Sequence, residues 1–273
     1  MKSFLLPMAE TSGLAAMMRA AVMLAHTTEG YLEGVYVRAE PSVVLASDDT
    51  GATTPALIES FEREDAQRGE RLRLVFERSM DDADLVPGVW RWREISPEPM
   101  GLGGYGRLFD VIVVGRPGRD ADSPSMSTLE AALFDTGRAI LIVPPAPPET
   151  LGERVVIAWN GSSETARTVA LGLPLLTRAE RVVVVTVDSG KVPGPTGADL
   201  ARYLERAGVP AEAVDVAAGR RSAGEAMLDE AETRGADLLI KGGYTRSRLR
   251  QTIFGGPTSH ILANARLPVF MAH

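Results

Sequence analysis

Two rhythms of apolar residues alternate along the chain. Short apolar runs bounded by polar or turn residues predict buried strands, and apolar positions spaced three and four apart predict amphipathic helices. In the first half, Lys2–Met8, Leu32–Arg38, Val89–Ile95, Phe109–Gly115 and Ile140–Val143 read as strands. Helical spacing fills Leu14–His26, Pro55–Met80 and Ser127–Thr136 between them. Thr11 or Ser12 stands where a helix N-cap is wanted, and Gly137 where a helix stops. Pro41–Thr54, rich in Ser, Asp, Thr and Gly, reads as a loop.

Pro144-Pro145-Ala146-Pro147-Pro148 breaks the rhythm. Such a run can continue neither a helix nor a central strand, so a stiff extended spacer is expected. After it the pattern starts again. Strands are expected at Arg154–Trp159, Arg181–Val187, Ala211–Val216, Asp237–Lys241 and Pro268–Met271. Helices are expected at Ser163–Leu176, Gly197–Ala207, Ser222–Arg234 and Pro257–Asn264, with Ser162-Ser163 as an N-cap.

The two halves share specific segments as well as element order. Phe109–Gly115 matches Ala236–Gly242, and Arg138–Val143 matches Arg266–Ala272. Near-continuous apolar strands alternating with helices mean a parallel sheet covered on both faces, an α/β protein. A long pattern occurring twice signals duplication of a domain. The expected division is 1–146 and 151–273.

Composition narrows the chemistry. The 273 residues are 45% hydrophobic and 24% charged, as in globular proteins. A net charge of -7 argues against a dedicated nucleic-acid binder. The absence of cysteine excludes disulfides, thiol nucleophiles and Cys-ligated metals. His26, His260 and His273 lie far apart, with no metal-pair spacing. No apolar run is long enough to span a bilayer, and Met1–Pro7 is too short for a signal peptide, so a cytoplasmic protein away from membranes is expected.

Ligands of open parallel sheets sit at the carboxyl ends of strands, where strand order reverses. The strongest candidate is the segment Lys241-Gly242-Gly243-Tyr244-Thr245, Arg246 to Phe254, then Gly255-Gly256-Pro257-Thr258-Ser259-His260. Gly242, Gly255 and Gly256 allow close backbone approach. Pro257 suits a first helical residue, with Gly256 as N-cap, and the free N–H groups of that turn attract anions. Arg246, Arg248 and Arg250 add positive charge, and no Walker loop is present. The formal G-x-G-x-x-G of Gly101–Gly106 lacks the strand-turn-helix setting of a dinucleotide site and reads as a flexible loop. Trp90 and Trp92 share one strand face and read as core or interface residues.

The stretch Gly242–Leu262 resembles the nucleotide loop of the universal stress protein family, G-x-x-G-x9-G-[ST]. Asp237–Ile240, Leu267-Pro268-Val269 and Ile157–Ser162 resemble that family too. The resemblance implies two tandem doubly wound, Rossmann-like domains of the adenine nucleotide alpha hydrolase type. They would pack as a pseudo-dimer through Ile140–Val143 and Val269–Ala272, with further homodimerisation open. It also implies a regulatory role in stress rather than a defined reaction, with weak ATP hydrolysis as the upper bound. The implied ligand is ATP or another adenine nucleotide, with Mg²⁺ as its companion. The base would lie near Ala158, Asn160 and Val187, and the phosphates near Lys241, Gly242, Thr245, Gly255, Gly256, Pro257 and Thr258. Three positions depart from the motif: Thr245 replaces a glycine, Gly256 a hydroxyl residue, and Asn160 an acidic residue. These departures leave open a ligand-independent scaffold that binds a protein partner. The first half lacks the glycine pair and ends its first strand in Ala9-Glu10, so no nucleotide is expected there.

Overall fold

The computed structural model describes residues 1–40, 55–85, 88–118, 120–188, 192–243 and 256–273. The loop expected at Pro41–Thr54 lies outside them. The strands are β1 (Ser3–Pro7), β2 (Tyr31–Val37), β3 (Trp90–Ile95), β4 (Val111–Gly115) and β5 (Ala139–Val143), then β6 (Arg154–Ala158), β7 (Arg181–Val187), β8 (Ala211–Val216), β9 (Leu238–Gly242) and β10 (Val269–Ala272). The helices of the first half are α1 (Leu14–Thr28), α2 (Pro55–Asp82), α3 (Gly101–Tyr105) and α4 (Met126–Glu130). A 3-10 turn (Gly106–Leu108) extends α3, and a π turn (Ala131–Asp135) extends α4. Those of the second half are α5 (Ser163–Leu176), α6 (Gly197–Arg206), α7 (Ala223–Thr233) and α8 (Gly256–Asn264).

All ten strands form one sheet in the order β3-β2-β1-β4-β5-β10-β9-β6-β7-β8. Each half contributes the same parallel order, read outward from the shared centre. Buried apolar side chains cover both faces, which is why the strands read as near-continuous apolar runs. One face carries residues of α1, α2, α5 and α6, the other residues of α3, α4, α7 and α8.

The halves meet where β5 and β10 pair antiparallel, as the family resemblance implied. Val269 faces Ile142, Phe270 faces Leu141 and Met271 faces Ile140. Phe270, Leu141, Ile140 and Met271 are fully buried. The core is therefore continuous across the junction. The proline linker is not an extended spacer. It bends at Pro145 and Ala146, and the Arg19 guanidinium of α1 donates to the Pro148 carbonyl at 2.7 Å.

Two local expectations are corrected. Gly101–Gly106 is helical rather than a flexible loop. Leu102 and Tyr105 of this turn are buried, and the Tyr105 hydroxyl donates to the buried Glu33 carboxylate on β2. Tyr31 donates to the same carboxylate at 2.6 Å, and Arg93 stands 3.4 Å from it. A distant carboxylate thus fixes a glycine-rich segment that has little helical preference of its own. The second correction concerns α1, which starts after Gly13 without a side-chain cap. Both the Ser12 amide and its hydroxyl donate to the Asp122 carbonyl instead. Trp90 and Trp92 pack on Phe76 of α2 as core residues, each with ring centroids 5.9 Å from it.

Candidate functional site

In the second half strand order reverses between β6 and β9, the crevice where such sheets take ligands. Register sets the carboxyl ends side by side, with Ala158 of β6 opposite Lys241 of β9. Val187 closes the adjacent β7. Ala158 and Val187 are buried on the face that also carries α7 and α8. Three sequence-expected residues, Ala158, Val187 and Lys241, thereby share one end and one side of the sheet.

Lys241 carries a charge at this end, and Asp188 follows β7, its carboxylate accepting from the Ala218 amide at 2.9 Å. The neighbours of Lys241 in β9, Leu239 and Ile240, are wholly buried. Its ammonium donates to the Thr258 hydroxyl in the first turn of α8 at 2.6 Å and to the Gly242 carbonyl at 3.0 Å. Some of the side chain stays exposed, yet the ammonium is desolvated enough for burial to push its pKa down to about 8. Among the described residues no carboxylate lies within salt-bridge distance of it.

Gly242 shows why this corner needs glycine. A Cβ there would fall 2.5 Å from the Thr165 backbone nitrogen, so β9 lies directly on the start of α5. Ser162 caps α5, its hydroxyl accepting from the Thr165 amide at 3.2 Å, as expected for a serine between a strand and a helix. Asn160 faces inward to the same turn. Its Oδ1 accepts from the Ser162 amide at 3.1 Å and from the Thr165 hydroxyl at 2.8 Å. The acceptor atom expected to read a base edge is therefore committed to the loop. Asn160 and a ligand would compete for the same lone pairs.

The sequence reading missed a cover over this loop. The Val192 amide donates to the Asn160 carbonyl at 3.0 Å, and the Trp159 indole donates to the Pro195 carbonyl at 2.8 Å. Gly194 lies so near the Gly161 carbonyl that a side chain could not fit between them. Two glycines and two prolines between β7 and α6 are the sequence signal of a turn there.

Of the remaining expected residues, Gly256 and Pro257 open α8 and Thr258 meets Lys241. Gly256 is thus the first helical residue rather than a cap. Thr245, Gly255 and the arginines Arg246, Arg248 and Arg250 lie outside the described residues. His260, two residues past Thr258, draws the Glu225 carboxyl of α7 slightly downward, after the larger effect of hydrogen bonds from Ser222.

The matching end of the first half is built differently. Pro124 stands over the end of β4, where a Cβ on Gly115 would fall 2.6 Å from the proline ring. Arg116 follows Gly115 and donates to the Ala265 carbonyl at 2.7 Å, beyond the end of α8. Glu10 is held by Arg71 at 2.8 Å, a hydrogen bond that lowers its pKa. A cleft of about 350 Å³ remains beside β1 and β2, lined largely by apolar groups including Met8, Val35 and Leu102.

No helix among the described residues is long and apolar enough to cross a membrane. Residues 152–273 match the sequence profile of the universal stress protein family. The chain is 29% identical over 169 residues to the universal stress protein Slr1230 of Synechocystis sp., spanning 59% of this chain and 57% of that relative. The fold is similar to that of a universal stress protein from Archaeoglobus fulgidus, with a TM-score of 0.72 over 99% of this chain and 97% of that one at 14% identity. A Pseudomonas aeruginosa structure described as a putative universal stress protein follows it, with a TM-score of 0.56, 14% identity and coverage of 99% and 92%. Residues 152–273 thus match the universal stress protein family by sequence, and the fold is similar along the whole chain to that of the Archaeoglobus fulgidus protein.

Proposed function

We propose that this chain is a regulatory stress protein that binds an adenine nucleotide, ATP with Mg²⁺ foremost, at the carboxyl end of β6, β7 and β9. In this reading residues 151–273 form the binding domain, and residues 1–146 form a domain whose own site is degenerate. The single observation that supports it most is the Lys241 ammonium. It is a desolvated cation with no carboxylate beside it among the described residues, at the reversal of strand order and bonded into the first turn of α8. Phosphate oxygens are the natural partners of such a group. Gly242, Thr245, Gly255, Gly256, Pro257 and Thr258 would line the phosphates, and Ala158, Asn160 and Val187 the base. The bound Mg²⁺ would supply further neutralisation of phosphate charge.

The commitment of Asn160 to its own loop favours a second reading, a scaffold that acts through a protein partner without ligand. Thermal unfolding with and without millimolar ATP and Mg²⁺ separates the two. A ligand at about one hundred times its Kd adds roughly 2.7 kcal/mol of stability, a clear rise in Tm. Gly255→Trp should keep the unliganded Tm and lose the rise. No rise with any adenine nucleotide would leave the scaffold.

A further inference from the structure

β4 and β9 occupy the same place in the two halves. The first ends Val113-Val114-Gly115 and the second Ile240-Lys241-Gly242. Val114 is buried in an apolar face, and Lys241 takes the matching position. An apolar side chain satisfies this site without dehydrating a charge, and an ammonium with no counter-charge among the described residues is costly there. β6 and β10 set Ala158 and Met271 beside Lys241, and α8 adds the Thr258 hydroxyl, none of them charged. His260 of α8 and Glu225 of α7 act on one another, Asp229 and Glu230 of α7 pair with Arg221 and Arg234, and Glu232 is the remaining carboxylate of α7. Loss of hydration lowers the pKa of Lys241.

We propose that Lys241 in its charged form is the phosphoryl-binding residue of this site, so that binding a phosphate-bearing ligand is coupled to the proton on this lysine. The inference rests on the reading that the site takes such a ligand. Thr258 orients the pair: its oxygen accepts from Nζ, which leaves its own proton for a phosphate oxygen. A neighbouring phosphate restores the ammonium by replacing the lost water with negative charge. With the free lysine titrating near 8, nearly all chains hold the proton at pH 7 and about one in ten at pH 9, so affinity falls about tenfold across that interval.

Isothermal titration calorimetry at pH 7 and pH 9, with ATP and separately with inorganic pyrophosphate, tests this on wild type, Lys241→Met and Lys241→Arg. Wild type should bind about tenfold more weakly at pH 9. Lys241→Arg keeps its charge throughout and should show no such fall. Lys241→Met should bind at least tenfold more weakly at pH 7 and lose the pH-linked fall. Should the methionine variant not fold, the wild-type and arginine profiles still decide. ATP binding of equal strength at both pH values, unchanged in Lys241→Met, overturns the role of Lys241 while the nucleotide reading stands. Lysine-dependent binding of pyrophosphate without ATP binding does the reverse. Binding of neither anion at pH 7 removes both.

Discussion

The two halves of the sheet share strand order, crossover helices and even the segment closing the fourth strand, yet their carboxyl ends differ in what neutralises them. In the first half the chain serves itself. Pro124 covers Gly115, Ser12 bonds to Asp122, Arg71 neutralises Glu10, and Arg116 is spent on the Ala265 carbonyl of the other half. In the second half Lys241 has a hydroxyl and a carbonyl but, among the described residues, no counter-charge. One topology thus supports an end whose charges are met within the chain and an end whose lysine has, among the described residues, no counter-charge. The strand order provides the crevice in both halves, and a few side chains decide how the charges at its edge are met.

Breaking the shared core should have the largest effect. Phe270→Ala removes a fully buried ring at the β5–β10 junction and is expected to cost about 3–5 kcal/mol. Because the core runs through that junction, denaturation followed by Trp90/Trp92 fluorescence and by circular dichroism should shift in one step. A loss confined to one half would show that the halves are energetically separate.

A sharper contrast comes from the matched glycines. Gly242→Ala forces a Cβ against the Thr165 backbone, whereas Gly115→Ala meets the edge of the Pro124 ring. Overpacking costs about 1–3 kcal/mol, and the backbone contact yields less. Urea midpoints should therefore fall further for Gly242→Ala than for Gly115→Ala, and the opposite order would contradict the close approach of β9 to α5.

The mildest test concerns charge. The folded pKa of Lys241 lies below its unfolded value of 10.5, so the unfolded chain holds this proton more tightly. Without ligand, stability from this group is reduced below pH 8 and is recovered as pH rises from about 8 toward 10.5. The Tm of wild type should climb relative to Lys241→Met over that range. Parallel profiles for the two proteins would mean that the ammonium is fully hydrated and that the halves do not differ in this respect.

Much of this was legible because it depends on local pattern. Apolar runs gave the strands, and the repeated Asp-Val-Ile-Val-Val-Gly and Asp-Leu-Leu-Ile-Lys-Gly segments gave the duplication. Ser162 capped α5 as its position suggested, because its partner Thr165 is only three residues away. The turn that absorbs Asn160 is equally local, and an Asx turn was there to be read beside the ligand role. Ser12 misled because its competing acceptor, Asp122, lies 110 residues on. Gly101–Gly106 misled because Glu33, 72 residues from Tyr105, holds its helix.

The sequence by itself determined the alternation of strands and helices, the internal duplication and the glycine-rich end where charge would gather. Those depend on periodicity and on backbone freedom, which are properties of neighbouring residues. Only the tertiary structure decided which charges are met within the chain and which lysine, among the described residues, has no carboxylate beside it. Hydration and counter-charge depend on every element brought within a few ångströms, and no segment carries that information alone.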